Sequence, residues 1–191
     1  MVRPPRRSQI YEAAIKLFDE RGFYGTSMED IAQAVGIRAS SMYNHYPSKQ
    51  EVLADICVSV TEQLLRDHAA AMAGLTSPTA KVVASMRNHA RFHADNAAQV
   101  RVGHREIKAL QEPHSSIVRQ LRRDYVQRWV SIINDGVAAG ELHTTESKLS
   151  AFLLIDMGTG IANWYRPEEE RTLDELCEIY EAIVRRVLQA T

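Results

Sequence analysis

Two cysteines in a chain of 191 residues are too few to frame a fold with disulfides. Cys57 and Cys177 read instead as small apolar residues of a protein kept in a reducing compartment. Only six prolines and nine glycines interrupt the chain, so long helices are open to it. No apolar run approaches the roughly 20 residues that span a bilayer, and no signal-peptide pattern is present. A cytoplasmic protein without a membrane partner is expected. Net charge is nearly absent, at −1, which removes the overall basic excess of many nucleic-acid binders. A DNA-binding role has to rest on where the charges stand. Also missing are a glycine-rich phosphate loop, a nucleophile elbow and a paired-carboxylate motif. The expectation is a non-enzyme that needs no cofactor.

What is there is helical period almost throughout, with no convincing strand alternation. Ile10, Ala14, Leu17 and Phe18 line one face of a first helix. Gly22 ends it, since glycine adopts positive φ without a Cβ penalty. Thr26 and Ser27 offer N-cap oxygens, with Glu29 and Asp30 three residues beyond each. Met28, Ile31, Ala32 and Val35 form the apolar face of a short second helix, and Gly36 makes a tight turn. A third short helix is predicted over 39–46, and a longer one begins after Pro47, Ser48 and Lys49. Further breaks fall at Gly74 through Pro78, near Pro113, at Gly140 and before Pro167. The last helix has a capping box, Thr172 and Glu175, followed by a broad apolar stripe from Leu173 to Leu188.

Three short helices with a glycine turn between the second and third make a helix-turn-helix. In that motif one helix crosses the phosphate backbone and the next sets its N-terminal residues in the major groove. The predicted recognition helix carries Arg38, then only small residues, Ala39, Ser40 and Ser41. Small side chains let a helix sink close to base edges. Met42 and Tyr46 are expected in the core; Tyr43, Asn44 and His45 have polar tips that reach phosphates or bases. Affinity comes mostly from phosphates. Thr26 and Ser27 present hydroxyls and N–H groups at a helix start. Lys49 adds a cation, and Arg3, Arg6 and Arg7 form a basic arm with no acid among them.

The run Ala13 to Phe18, then Gly22-Phe23, Thr26-Ser27-Met28, Ile31-Ala32, Val35-Gly36-Ile37 and Met42 to Lys49 resembles the N-terminal signature of the TetR family of transcriptional regulators. It covers roughly the first 55 residues, a small domain, and involves many positions. The resemblance implies that Arg38, Ala39, Ser40 and Ser41 face bases and that Thr26, Tyr43, His45 and Lys49 contact phosphates. It implies an all-α protein: a helix-turn-helix DNA-binding domain over residues 1–50, then a helical ligand-binding and dimerisation domain over 51–191. Arg38 stands where the family often has a small polar cap, and Asn44 where an aromatic residue or histidine is common. These departures bear on which operator is read.

The family resemblance further implies a homodimer through the last two helices. The sequence agrees: the final helix is broadly apolar, and the preceding one carries Gly158, Gly160 and Ala162, which permit close backbone approach. In the central helices His89, His93 and His104 lie on apolar stripes, with Arg101 and Arg105 adjacent. Beside Met86, Phe92, Tyr125 and Trp129 they suggest an apolar pocket with a few polar anchors for a small-molecule effector. Asp156 is a candidate buried acid. The stretch Ala97 to Glu106 and the run Asn163-Trp164-Tyr165-Arg166-Pro167 are similar to regulators of fatty-acid, steroid and aromatic-acid breakdown that respond to acyl-CoA thioesters. Arg119, Arg122, Arg123 and Arg128 can supply cations for such a ligand, or form a solvated helix face. Two alternatives stay open. His89 and His93, four residues apart, can share a metal ion from one helix, although no third ligand is evident. A helix-turn-helix protein without an effector is the other.

Overall fold

The computed structural model describes residues 5–167 and 171–190. Arg3 of the expected basic arm lies outside them. Among the described residues the fold is all-α, with no strand. The helices are α1 (Arg6–Arg21), α2 (Met28–Ala34), α3 (Ala39–Met42), α4 (Lys49–Ala71), α5 (Pro78–Asp95), α6 (Ala97–Arg105), α7 (His114–Ala138), α8 (Ser147–Thr159), α9 (Ile161–Trp164) and α10 (Leu173–Val187). A 3-10 turn, Ile107–Ala109, follows α6. The chain forms two compact units, one of residues 1–61 with 98–119, the other of 62–97 with 120–191. The unit around the helix-turn-helix therefore extends past residue 50 and takes in a second stretch of chain.

In the first unit, α1 buries Ile10, Ala14, Ile15, Leu17 and Phe18, and Gly22 closes it at φ 76°. The Ser27 hydroxyl caps α2 by accepting the Asp30 N–H at 3.0 Å, while the Asp30 carboxylate accepts the Ser27 N–H at 2.7 Å. Helix α3 is shorter than its pattern predicts. The N–H groups of His45 and Tyr46 both bond to the Met42 carbonyl, so the ladder tightens into turns, and Pro47 disfavours helical backbone before it. Phe18, Phe23, Ile31, Met42, Tyr46, Leu53 and Ile56 pack into one core, joined from the second stretch by Val102, Leu110 and Val118. Each such side chain contributes roughly 1.5–3 kcal/mol when fully buried.

In the second unit, α5 packs against α8, α9 and α10. Its N-cap, Ser77, accepts the Ala80 N–H, and Pro78 occupies the first helical position, where a missing N–H is harmless. Ion pairs tie α5 to α10: Arg87 meets Glu181 at 2.7 Å and Asp174 at 2.9 Å, and Arg91 also pairs with Asp174. The α10 start is the expected capping box of Thr172 and Glu175. The large apolar side chains near the start of α8 do not face this core. Leu149 is 63% and Leu153 56% exposed, and Phe152 is exposed too, while Ala151, Leu154 and Gly158 turn inward.

Candidate nucleic-acid interface and sensor site

The helix-turn-helix divides the expected DNA residues into those spent inside the head and those presented outward. Thr26 is buried, and its hydroxyl donates to the Gly22 carbonyl at 3.0 Å. That bond closes the α1–α2 turn. Ser27 is engaged by Asp30, which its hydroxyl also contacts at 2.7 Å. Lys49 donates to the carbonyls of Phe23 at 2.7 Å and Thr26 at 2.6 Å, with its ammonium 4.3 Å from the Phe23 ring centroid. Desolvation there lowers its pKa. Arg6 donates to the Val35 carbonyl at 3.2 Å, behind α2, and to Gln9. Arg7 engages Tyr46 and Asp55, yet its side chain remains on the surface of the head.

Outward stand Arg38, Ser40, Tyr43 and Asn44, all exposed, with Ala39, Ser41 and His45 half-buried among them. Arg38 precedes α3 in extended backbone and makes no side-chain cap bond. Met42 and Tyr46 point into the core, as their spacing predicts. The head thus offers one short helix whose first turn is small and polar, flanked by a cation and a phenol, which is the arrangement a major groove accepts.

The residues expected to line one effector pocket fall into two groups. Met86, His89, Phe92, His93, Tyr125 and Trp129 come together, all buried, in the second unit. His89 Nε2 lies 3.0 Å from the Ile155 carbonyl, which only accepts, so this nitrogen carries the proton. His89 Nδ1 then accepts the Tyr125 hydroxyl at 2.8 Å. His93 Nδ1 donates to the His89 carbonyl at 2.7 Å. Burial pushes the Tyr125 phenol pKa up. The other group lies elsewhere. Arg101 and Arg105 belong to the first unit and are committed to α1. Arg101 holds Asp19 with two bonds, at 2.9 and 2.5 Å, and Arg105 bonds to the Phe18 carbonyl and to Glu106. His104 is exposed rather than on a buried stripe, and Asp156 is exposed rather than buried, because α8 turns that face outward. Gly158 serves α5: a Cβ there would stand 2.2 Å from His89 Cδ2.

One member of the buried cluster escaped the sequence reading. His68 on α4 is fully buried, edge-on to Tyr125 with centroids 5.2 Å apart and 5.9 Å from Trp129. Desolvation, with a smaller contribution from the Arg128 charge, holds its pKa down at about 4. Its signal was the spacing Val60, Leu64, His68, which continues the inner stripe of α4. Among the described residues no group of three or more His, Cys, Asp or Glu is placed to hold a metal ion. A separate cleft of about 440 Å³ opens between Trp164, Tyr165, Arg166, Arg171, Ile179 and Tyr180. It joins aromatic faces to two guanidinium-bearing residues, a lining suited to a flat or acyl body with anionic groups.

A family profile for bacterial regulatory proteins of the tetR family matches residues 10–56, and one for tetracyclin repressor-like C-terminal domains matches residues 75–188. The HTH-type transcriptional repressor KstR2 of Rhodococcus jostii is 27% identical over 182 residues, covering 94% of this chain and 89% of that protein. The solved structure of the ketosteroid transcriptional regulator KstR2 of Mycobacterium tuberculosis superposes with a TM-score of 0.89 at 24% identity, covering 100% of this chain and 97% of that one. AibR, solved with isovaleryl coenzyme A and operator DNA, superposes at 0.87 with 20% identity, covering 98% and 100%. Among the described residues no helix is long and apolar enough to cross a membrane. Matched across both its reading head and its C-terminal helices, the chain belongs to the TetR family of bacterial regulatory proteins.

Proposed function

We propose that this protein is a cytoplasmic transcriptional repressor that binds a palindromic operator as a homodimer and is released from it by a small-molecule effector, an acyl-CoA thioester in the first instance. The observation that carries the repressor reading is the outward set Arg38, Ser40, Tyr43 and Asn44 on a helix-turn-helix within the family match. DNA reading is assigned to residues 1–50, and effector binding and dimerisation to 51–191. Dimerisation through α8 and α10 is supported by Leu149, Phe152, Leu153 and Ile179, apolar side chains that one chain leaves exposed. A two-fold dimer presents two recognition helices to half-sites one helical turn apart.

The effector class is supported by the isovaleryl coenzyme A held by AibR and by the aromatic, arginine-bearing cleft around Trp164. The buried cluster of His89, His93 and Tyr125 is the second candidate for effector contact; it suits neutral hydrogen-bonding groups rather than phosphates. An effector that binds the DNA-incompetent state more tightly lowers operator affinity by linkage, and about 1–3 kcal/mol of coupling gives a 5–150-fold change. The metal-responsive reading is weak, since both His89 nitrogens already meet Tyr125 and Ile155.

The test pairs native mass spectrometry with a gel shift on a duplex that the protein selects from a randomised library. A dimer that selects a palindrome and releases it with a bound acyl-CoA thioester is the expected result. A dimer that selects DNA but ignores every thioester discards the effector class and leaves the repressor. A protein that enriches no sequence overturns the reading as a whole.

A further inference from the structure

One carboxylate ties the start of α1 to the end of the recognition segment. The hydroxyl of buried Tyr46, which follows the turns after α3, donates to Oδ2 of Asp55 on α4 at 2.6 Å. The same oxygen accepts from Nη2 of Arg7 at 3.0 Å. The Arg7 guanidinium also lies over the Tyr46 ring, 4.8 Å from its centroid, and its Nε donates to the phenol oxygen at 3.3 Å. Three segments of the reading head therefore meet at Asp55. The Arg7 side chain nonetheless stays 62% exposed, against 31% for Asp55. Ion pairs this exposed add little to stability. What the arrangement does is orient: it holds a long, flexible cation in one direction on the head that presents Tyr43 and Asn44.

We propose that Asp55 is a positioning residue for DNA recognition, which fixes the recognition segment through Tyr46 and aims Arg7 at a backbone phosphate. The proposal rests on the DNA-binding reading above. Its sign separates it from a simple charge effect. Asp55 is an acid on a DNA-binding head, so charge alone predicts that removing it tightens binding to a polyanion. Positioning predicts the reverse.

The experiment measures binding of the full-length protein, by fluorescence anisotropy over a range of salt, to the duplex that the wild type selects. Asp55→Asn keeps the shape and an acceptor oxygen but loses the charge. The expected result is a Kd raised roughly tenfold or more, the scale of a charge-assisted hydrogen bond. The slope of log K against log salt becomes shallower by about 0.9 for each phosphate that is no longer neutralised. Arg7→Gln produces the same two changes, and the double variant is no worse than either single one. A purely structural effect lowers the melting temperature without moving the salt slope. Where Asp55→Asn fails to fold, Tyr46→Phe and Arg7→Gln carry the test, with coupled losses expected. Asp55→Asn binding as tightly as the wild type or more so, or Arg7 and Tyr46 losses that simply add, overturns the proposal while the repressor stands. A wild type that selects no duplex removes the DNA-binding reading and this proposal together.

Discussion

His89 and Tyr125 share a buried hydrogen bond of 2.8 Å between α5 and α7, with the imidazole proton turned the other way, toward the Ile155 carbonyl on α8. One histidine thus links three helices of the second unit, and its tautomer follows from what each partner is able to do. Removing the phenol leaves His89 Nδ1 buried without its donor. Tyr125→Phe is expected to lower stability by about 1–3 kcal/mol, the cost of an unsatisfied buried acceptor. Urea denaturation with an unchanged m-value is the check. An unchanged midpoint would show that the bond contributes nothing.

Gly158 is set by the same imidazole. A methyl group there would lie 2.2 Å from His89 Cδ2 and 2.9 Å from Nε2, and the histidine is packed on its far side by Tyr125. Gly158→Ala, ordinarily favourable inside a helix, is expected to destabilise by about 1–3 kcal/mol through overpacking. Thermal melts of the variant decide it. A stabilised protein would mean that α5 and α8 separate freely.

His68 makes stability depend on pH. Its folded pKa, about 4, lies below its ordinary 6.5, so between those values the unfolded chain holds more protons than the folded one. The contribution of neutral His68 is complete above pH 6.5, declines as pH falls through the window, and is gone below 4. A shift of this size corresponds to roughly 3 kcal/mol. His68→Phe, which keeps an aromatic ring against Tyr125 and Trp129, is expected to flatten this decline relative to the wild type. Denaturation midpoints from pH 7 to 4 would falsify the assignment if both proteins lost stability in parallel.

Lys49 and Tyr43 resemble each other as expected phosphate contacts, yet they should separate under substitution. The Lys49 ammonium is held by two carbonyls of the α1–α2 turn, while Tyr43 is 51% exposed. Lys49→Ala is expected to lower stability by about 1–2 kcal/mol together with DNA affinity. Tyr43→Ala should leave stability within about 0.5 kcal/mol and weaken binding to all duplex sequences alike. Melting curves beside anisotropy titrations separate the two. Equal stability losses, or an altered base preference for Tyr43→Ala, would contradict this division of roles.

Much of the protein was legible in the sequence because it depends on neighbours along the chain. The helical period of Ile10 to Phe18, the Gly22 stop, and the Thr172 and Glu175 capping box each need only a few consecutive residues. The outward segment was legible for the same reason: Arg38 to Ser41 have small or polar side chains, and the next residues spaced to turn inward are Met42 and Tyr46. What only the tertiary structure decided is the use each polar side chain finds. Thr26, Lys49 and Arg6 look alike as DNA ligands in one dimension, but partners 4 to 29 positions away bond to them within the head. Arg101 and Arg105 stand close in sequence to the histidines, yet α6 turns them onto Asp19 and the Phe18 carbonyl. Asp156 stands exposed and Gly158 turns onto His89 because the rotation of α8 about its axis depends on α5 packing against it. A repeating pattern says that a helix has an apolar face; which of two apolar faces turns inward, and which distant carbonyl meets a cation, is settled by packing between segments that the chain order does not bring together.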